Sequence, residues 1–319
     1  MRQTGDDNVL DDGRAGRRAL RFGALSRTRP GHRALDLEYA VVDVETTGLD
    51  PRRGAKVCEI AVVRMRGDGT VLREFTTLVD PRIPVTGQEF HGIAVGDVVG
   101  APRAADIVGD LAELFSGAVL VGHNLDFEGR FLDAEFVPAG LPTGLAGLCT
   151  LRTLRSQIDL ERYSLPRASH VLSGHWPTGQ HTALGDARAC AQLLAELLRN
   201  APGELRYAGP GPVTLTGRSS GARLKPRRSL SGLVTRLSLG AVRAAPAHEL
   251  CDWPRRWRPW ELDPELCAGR FGEEDRTAAV ADAALRRRRR EAASATVALT
   301  GALAGAAAAA TLVRRLRRR

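Results

Sequence analysis

Short apolar runs alternate with stretches of helical periodicity over the first two thirds of the chain. Runs of strand type cover 39–44, 56–65 and 71–79, and a glycine-bounded turn at 67–69 joins the last two. A tight turn between two apolar runs is typical of a β-hairpin. We therefore expect an antiparallel hairpin beside the first strand.

Helical periodicity begins after the long connection that follows this hairpin. Apolar residues then recur three and four positions apart, interrupted by one more strand-like run at 118–121. The predicted helices cover 104–115, 125–136, 150–160, 164–172 and 182–198. Strands that alternate with helices predict an α/β domain over 38–200, with a mixed sheet flanked by helices.

The segments outside this domain lack its regular pattern. Residues 1–37 are polar and rich in Gly, Arg and Asp, which predicts a disordered leader. Residues 201–291 have the composition of a flexible basic linker or tail. Residues 292–319 form an Ala-rich stretch flanked by arginines. Its uncharged part, 292–313, has the length of a transmembrane helix, but so many alanines make insertion marginal. A tail anchor and a low-complexity helix are both open.

Charge is segregated along the chain. The net charge of +9 is made up of +3 over 1–37, −6 over 38–200 and +12 over 201–319. An acidic domain with a basic tail suits an enzyme whose carboxylate-lined site approaches a polyanion. The alternative is a solvated tail without a binding role.

The number and spacing of the cysteines indicate the cellular compartment of the protein. The five cysteines form no CxxC pair and their number is odd, as is typical of reduced thiols. Acidic residues precede the first arginine cluster, and no apolar segment of a secretory signal follows them. We therefore expect a cytoplasmic protein.

Two acids alternate with apolar residues in the run VVDVETTGLD at 41–50. Alternation along a strand places Asp43 and Glu45 on one face, where they repel each other unless a cation compensates them. A metal site and a solvated pair on an exposed strand are the two interpretations of this run.

Further acids accumulate at the ends of predicted elements. The clusters are Asp43 with Glu45, Asp126 with Glu128, and His181 with Asp186. Carboxylates in this number indicate two divalent cations, Mg²⁺ or Mn²⁺, and phosphodiester hydrolysis. From the loop before the last helix, His181 could accept a proton from water, or it could merely cap that helix.

The ordered runs VVDVETTGLD, HGI, VGHNLDFEGRFL and HTALGDARA resemble the motifs of the DEDDh, or DnaQ-like, 3′-to-5′ exonucleases over about 38–200. The resemblance implies a ribonuclease-H-like fold, two-metal hydrolysis from a 3′ end, and release of nucleoside monophosphates. It also implies that Asp43, Glu45 and Asp186 bind metal and that His181 is the general base.

The second motif departs from the family pattern. Its His, Asn and Phe positions place Glu128, not the usual aspartate, at the ligand position, and Asp126 falls on a variable position. Glu128 is the predicted ligand and Asp126 the alternate. Because of this change, a weakly active or inactive scaffold that binds nucleic acid or a membrane is the alternative function.

Substrate and partner contacts follow from the same resemblance. The residues expected to bind substrate are Thr46, Thr47, Gly48 and His91. The expected partners are single-stranded DNA or RNA 3′ ends, a polymerase or repair protein, and an anionic membrane through the basic tail.

Three tryptophans interleave with arginines in the run WPRRWRPW at 253–260. Such a run stacks bases and neutralises phosphates, or it docks a tail onto its own domain. Both roles are open at this point.

Overall fold

The computed structural model describes residues 18–217, 219, 221–227 and 253–267. The chain divides into two compact units, Met1–Glu261 and Leu262–Arg319. Only residues 262–267 of the second unit are described, so the fold below is that of the first. The Ala-rich stretch at 292–313 lies outside the described residues.

One mixed sheet organises the first unit. Its strands are β1 (Leu20–Ser26), β2 (His32–Arg33), β3 (Glu38–Thr46), β4 (Val57–Arg66), β5 (Val71–Leu78), β6 (Val119–Gly122), β7 (Leu145–Cys149) and β8 (Arg206–Ala208). Their order across the sheet is β2-β8-β1-β7-β6-β3-β4-β5. The four strands β1, β7, β6 and β3 run parallel to one another, and antiparallel strands extend both edges.

Helices lie between and after the strands. They are α1 (Gln88–His91), α2 (Val95–Val98), α3 (Ala104–Phe115), α4 (Asp126–Phe131), α5 (Thr150–Gln157), α6 (Leu165–Ser173), α7 (Ala183–Asn200) and α8 (Trp253–Arg256). A π-helical turn, Leu132–Phe136, continues α4. The predicted mixed sheet flanked by helices is confirmed, as are the helix at 104–115 and the antiparallel pairing of β3, β4 and β5.

Alternation along β3 separates two hydrophobic cores. Tyr39 and Val41 belong to one core, which also contains the apolar face of α7. Val42 and Val44 belong to the other core, which contains the apolar face of α3. Because side chains two residues apart share a face of a strand, Asp43 follows Val41 on the α7 side. Two buried faces hold the strand rigidly where its acids emerge.

The start of α7 is defined by its cap. Thr182 is the N-cap residue, and its hydroxyl accepts a hydrogen bond from the Gly185 amide at 3.1 Å. Such a cap satisfies an amide that has no partner within the helix. The cap fixes the first turn, which carries Asp186, against the end of β3.

The prediction of a disordered leader over 1–37 is wrong from residue 20 onward. β1 lies inside the sheet between β7 and β8, and Leu20 and Leu25 are buried. The strand pairs with a neighbour on each of its two edges, which holds it inside the sheet. Residues 1–17 lie outside the described residues.

The prediction that 201–291 is only a linker or tail is also wrong in two places. β8 pairs with β1 and β2, and Tyr207 is fully buried. Trp253 and Trp257 are buried in the core that contains α7. These two tryptophans therefore dock the later segment onto the domain and are not available to stack on bases.

None of the described helices combines the length and the apolar character required to cross a bilayer.

Trp253→Ala should strongly destabilise the domain. Removing a fully buried aromatic side chain typically costs about 3–5 kcal/mol, and Trp253 is 1% exposed. Chemical denaturation monitored by circular dichroism measures the change. Trp176→Ala is the matched control, because Trp176 is 53% exposed and its loss should change stability by less than about 0.5 kcal/mol. Equal effects of the two substitutions would contradict the docking of this segment.

Candidate active site

Three carboxylates converge where β3 ends and α7 begins. Asp43, Glu45 and Asp186 each offer one oxygen, and these oxygens lie within 4.8 Å of one another. Asp43 and Glu45 share the α7 face of β3, and Asp186 lies in the first turn of α7. The predicted first and third clusters are therefore brought together.

Glu128 lies beside this group on the first turn of α4. It is 4% exposed, and its Oε2 accepts no hydrogen bond from the described residues. After burial, the charge of Glu128 is the largest influence that raises the pKa of Asp43. A buried carboxylate oxygen without a donor is costly unless a cation binds it. Glu128 thus has the surroundings expected of the predicted fourth ligand.

Asp126, the alternate ligand, is engaged elsewhere. Its carboxylate forms an ion pair with Arg152, and its side chain is 41% exposed. Asp126 and Glu128 occupy the same helical turn two residues apart, so they point in different directions. The structure brings Glu128, not Asp126, toward the cluster.

Burial raises the pKa values of the clustered acids, and the charges of neighbouring acids add to this for Asp43 and Glu45. Burial, followed by the charges of Glu59 and Asp186, raises the pKa of Glu45 to about 7. Burial raises the pKa of Glu128 to about 8 and also raises that of Asp186. Each acid is thus harder to ionise in the folded protein than in water. Divalent cations would offset this penalty, and oxygen donors of this kind suit Mg²⁺ or Mn²⁺.

His181 lies on the loop just before α7. The residue is exposed, and its backbone adopts the left-handed conformation with φ of 61°, which is uncommon for a residue other than glycine. The His181 amide donates a hydrogen bond of 3.0 Å to Oδ2 of Asp186. The loop conformation is therefore tied to one of the clustered acids.

The residues expected to bind substrate instead make internal hydrogen bonds. The Thr46 hydroxyl donates to the Gly48 carbonyl at 2.7 Å, and the Thr47 hydroxyl accepts from the Lys56 amide at 2.9 Å. His91 is buried, and its Nδ1 accepts a hydrogen bond from the Ile93 amide. Its Nε2 therefore carries the ring hydrogen and donates it to the carbonyl of residue 86. These side chains shape the turns around the cluster, and their contact with substrate stays a prediction.

Two further residues at the site were not anticipated from the sequence. Glu59 pairs with Glu45 across β3 and β4, is 1% exposed, and accepts a hydrogen bond of 3.2 Å from the Ala183 amide. Arg227 lies 3.5 Å from the Glu59 carboxylate. An acid inside the apolar run VCEIAVV is the signal that could have found Glu59. No local signal marks Arg227, which follows a polar, proline-containing segment.

Glu128→Gln should stabilise the metal-free protein at pH 8 and change it little at pH 5. The pKa of Glu128 is about 8 in the folded protein, against an ordinary value of 4.5. Between these values the unfolded state has lost a proton that the folded state keeps, so the free energy of unfolding falls as the pH rises. The neutral amide of glutamine removes this dependence on pH. Melting curves in EDTA at pH 8 should therefore show a melting temperature several degrees higher for Glu128→Gln than for the wild type.

Glu161→Gln, the same change at an exposed glutamate, is the control for this measurement. Because Glu161 is exposed, its substitution should not produce a gain in stability at pH 8. A Glu128→Gln variant with the same stability difference from wild type at both pH values would contradict the interpretation.

Solved structures with a similar course of the chain include two exonucleases. Exonuclease I of Escherichia coli, in complex with a dT13 oligonucleotide, is 13% identical with a TM-score of 0.44, covering 51% of this chain and 41% of that one. Exonuclease I of Methylocaldum szegediense is 20% identical with a TM-score of 0.42, covering 52% and 41%.

Relatives in sequence are longer proteins. A DNA polymerase III subunit epsilon-like protein of Rhodobacter capsulatus is 36% identical over 169 residues, or 51% of this chain and 24% of that protein. A PolC-type DNA polymerase III of Caldanaerobacter subterraneus subsp. tengcongensis is 30% identical over 168 residues, or 52% and 12%. The chain thus spans about a quarter or less of the length of these relatives.

The sequence model of the family described as RNase_T, exonuclease, matches residues 40–194. This range contains every predicted metal ligand together with His181. The domain that carries the carboxylate cluster therefore belongs to the exonuclease family.

Proposed function

We propose that the chain is a metal-dependent 3′-to-5′ exonuclease that hydrolyses phosphodiester bonds and releases nucleoside monophosphates. The observation that carries the proposal is the convergence of Asp43, Glu45 and Asp186 oxygens within 4.8 Å. The buried Oε2 of Glu128, which has no hydrogen-bond donor among the described residues, supplies a fourth oxygen ligand. Membership of the exonuclease family supports the reaction class, and the motif resemblance supports the 3′ polarity.

Two divalent cations are the proposed cofactors. Asp43, Glu45, Glu128 and Asp186 would hold two Mg²⁺ or Mn²⁺ ions, which when bound activate water and stabilise the leaving oxygen. The donor set consists of carboxylate oxygens, which these hard cations prefer. Zinc sites are richer in nitrogen and sulfur ligands.

His181 is the proposed general base. A water oxygen forms a bond to phosphorus while the bond from phosphorus to the 3′ oxygen of the preceding nucleotide breaks. The water proton passes to the His181 imidazole, and the departing 3′ oxygen takes a proton from solvent to become a hydroxyl. An imidazole suits this role because its ordinary pKa is near neutrality. The hydrogen bond from the His181 amide to Asp186 keeps the base close to the carboxylates.

A basic aromatic patch, formed by Trp176, Arg162 and Arg167, is evidence in favour of a single-stranded substrate. They line one cleft of about 430 Å³ together with Glu161, whose single negative charge the two arginines outnumber. Trp176 is exposed and stacks on His170 with ring centroids 4.2 Å apart. Aromatic side chains stack on bases of single strands while arginines contact phosphates. The patch lies on the segment that precedes His181 in the sequence, and we propose that it binds the strand whose 3′ end enters the cluster.

The relatives suggest a setting for the activity. Both are DNA polymerase III proteins, which supports single-stranded DNA as the substrate and a polymerase as the partner, in replication or repair. RNA 3′ ends and a repair protein are the competing substrate and partner. A cytoplasmic location and binding of the tail to an anionic membrane stay predictions.

Asp43→Asn and Asp186→Asn should each abolish release of mononucleotides while retaining binding of a single-stranded oligonucleotide. Each substitution removes one charge of the ligand set, and we expect a fall in rate of at least about 100-fold, the scale of losing one strong transition-state interaction. Chromatography of products from a 5′-labelled 20-mer with Mg²⁺ or Mn²⁺ measures the rate. Asp126→Asn, outside the cluster, is the control.

Comparison of DNA and RNA strands, and of 5′- and 3′-labelled strands, tests substrate and polarity in the same assay. A wild-type protein that binds these strands but releases no mononucleotides would overturn the enzyme and support the nucleic-acid-binding scaffold. Release of nucleotides from the 5′ end would overturn the polarity.

Trp176→Ala should raise KM for a long single strand and leave kcat unchanged. A stacked base contributes about 1–3 kcal/mol to binding, so the expected rise is roughly 5-fold or more. Arg162→Ala and Arg167→Ala should each make KM depend less steeply on salt concentration, because each removes a contact with phosphate. Steady-state rates on a 20-mer and a trimer provide the test, because the trimer should be insensitive. Arg66→Ala, at the far end of β4, is the control for loss of a surface charge. A KM for the 20-mer that is the same in Trp176→Ala as in the wild type would contradict binding of the strand at this patch.

A further inference from the structure

A segment beyond the family-matched region returns to the carboxylate cluster. Within residues 221–227, Lys225 bonds to the end of β5, where the Leu78 amide donates to the Lys225 carbonyl at 2.8 Å. The Lys225 amide in turn donates to the Thr77 hydroxyl at 3.0 Å. Both bonds fix the backbone two residues before Arg227. The side chain of Arg227 is thereby anchored next to the cluster.

The Arg227 guanidinium joins three separate parts of the site. Its Nη1 donates to the His181 carbonyl at 3.2 Å and lies 3.5 Å from Oε2 of Glu59. Its Nη2 donates to the His91 carbonyl. One planar group therefore ties together the loop before α7, the buried acid on β4 and the end of α1.

The contact with His181 acts on a backbone that needs support. A φ of 61° is disfavoured for histidine, so the loop would relax without contacts that hold it. The His181 amide is held by Asp186 and the His181 carbonyl by Arg227. Hydrogen bonds from a charged donor are stronger than neutral ones. The peptide groups on both sides of His181 are thus fixed.

We propose that Arg227 is a positioning residue that orients His181 and balances the buried charge of Glu59. The inference rests on the proposed exonuclease function and extends its active site to a residue outside the matched range 40–194. Arg227 does not touch the reacting atoms in this role, because its donors are directed at two carbonyls and a carboxylate. It acts on the rate through the geometry of the His181 loop.

The role needs the shape of arginine as well as its charge. A guanidinium presents donors in a rigid planar fork, whereas the ammonium of lysine is a single point charge on a flexible chain. Arg227→Lys should therefore keep the balance of charge at Glu59 but lose the bridge between the two carbonyls. Arg227→Ala loses both.

The test compares single-turnover rates and binding of one oligonucleotide by the full-length wild type, Arg227→Ala, Arg227→Lys and Arg223→Ala. Arg223 is an exposed arginine on the same segment that makes none of these contacts, so its substitution should leave the rate unchanged. We expect Arg227→Ala to lower the rate roughly 10- to 100-fold, since small misplacement of a catalytic group has effects of this size. Affinity should change less than about 2-fold, and Arg227→Lys should restore only a small part of the rate.

A double-mutant cycle separates this role from a merely structural one. If Arg227 acts through His181, adding Arg227→Ala to His181→Ala should lower the single-turnover rate little further. Full additivity, or an unchanged rate in Arg227→Ala, would overturn the inference. An inactive wild type would instead overturn the proposed exonuclease function, so the two failures are distinct.

Discussion

Repulsion among carboxylates is the interaction around which the active-site region is arranged. Asp43, Glu45, Glu128 and Asp186 meet near the end of one strand, where burial raises the pKa of each of them and the charges of neighbouring acids raise those of Asp43 and Glu45 further. Like charges in a partly desolvated site are tolerated only when the surrounding structure holds them there and a counter-charge is supplied. In the proposed enzyme, divalent cations supply most of that counter-charge.

The sheet provides the holding structure. β3 is covered on one face by the core that contains α7 and on the other by the core that contains α3. A strand packed on both faces has little freedom to move its acids apart. Glu59 adds a further charge, which Arg227 and the Ala183 amide compensate directly. Stability of the scaffold is thus what permits an otherwise unfavourable concentration of charge.

Much of this arrangement could be predicted from local patterns. The period of two in β3 placed Asp43 and Glu45 on one face, and the period of 3.6 located α3 and α7. β1, β7 and β8 were missed: β1 and β8 carry arginines and depend on partners far away in sequence, and β7 is a run of only five residues. Glu59 was missed because its neighbour, Glu45, lies on another strand. Arg227 was missed because its position depends on a segment that has no periodicity of its own.

The residues expected to bind substrate were located in the sequence, but their hydrogen bonds could not be foreseen. The hydroxyls of Thr46 and Thr47 and the ring of His91 bond to neighbouring backbone groups. Such contacts depend on how three turns pack together, which residue type alone does not determine. What the motif identified is a set of positions around the cluster, and the structure adds that several of these side chains stabilise the turns.

The position of β1 has a consequence for how the domain forms. β1 is among the first described segments of the chain, yet its neighbours in the sheet are β7 and β8, which come more than a hundred residues later. Contacts so distant in sequence are slow to form, because a long loop must close before they contribute. During synthesis the sheet therefore stays open on one side until β8 has emerged. By then α7 has been made, so completion of the sheet and assembly of the four acids are late and nearly simultaneous events.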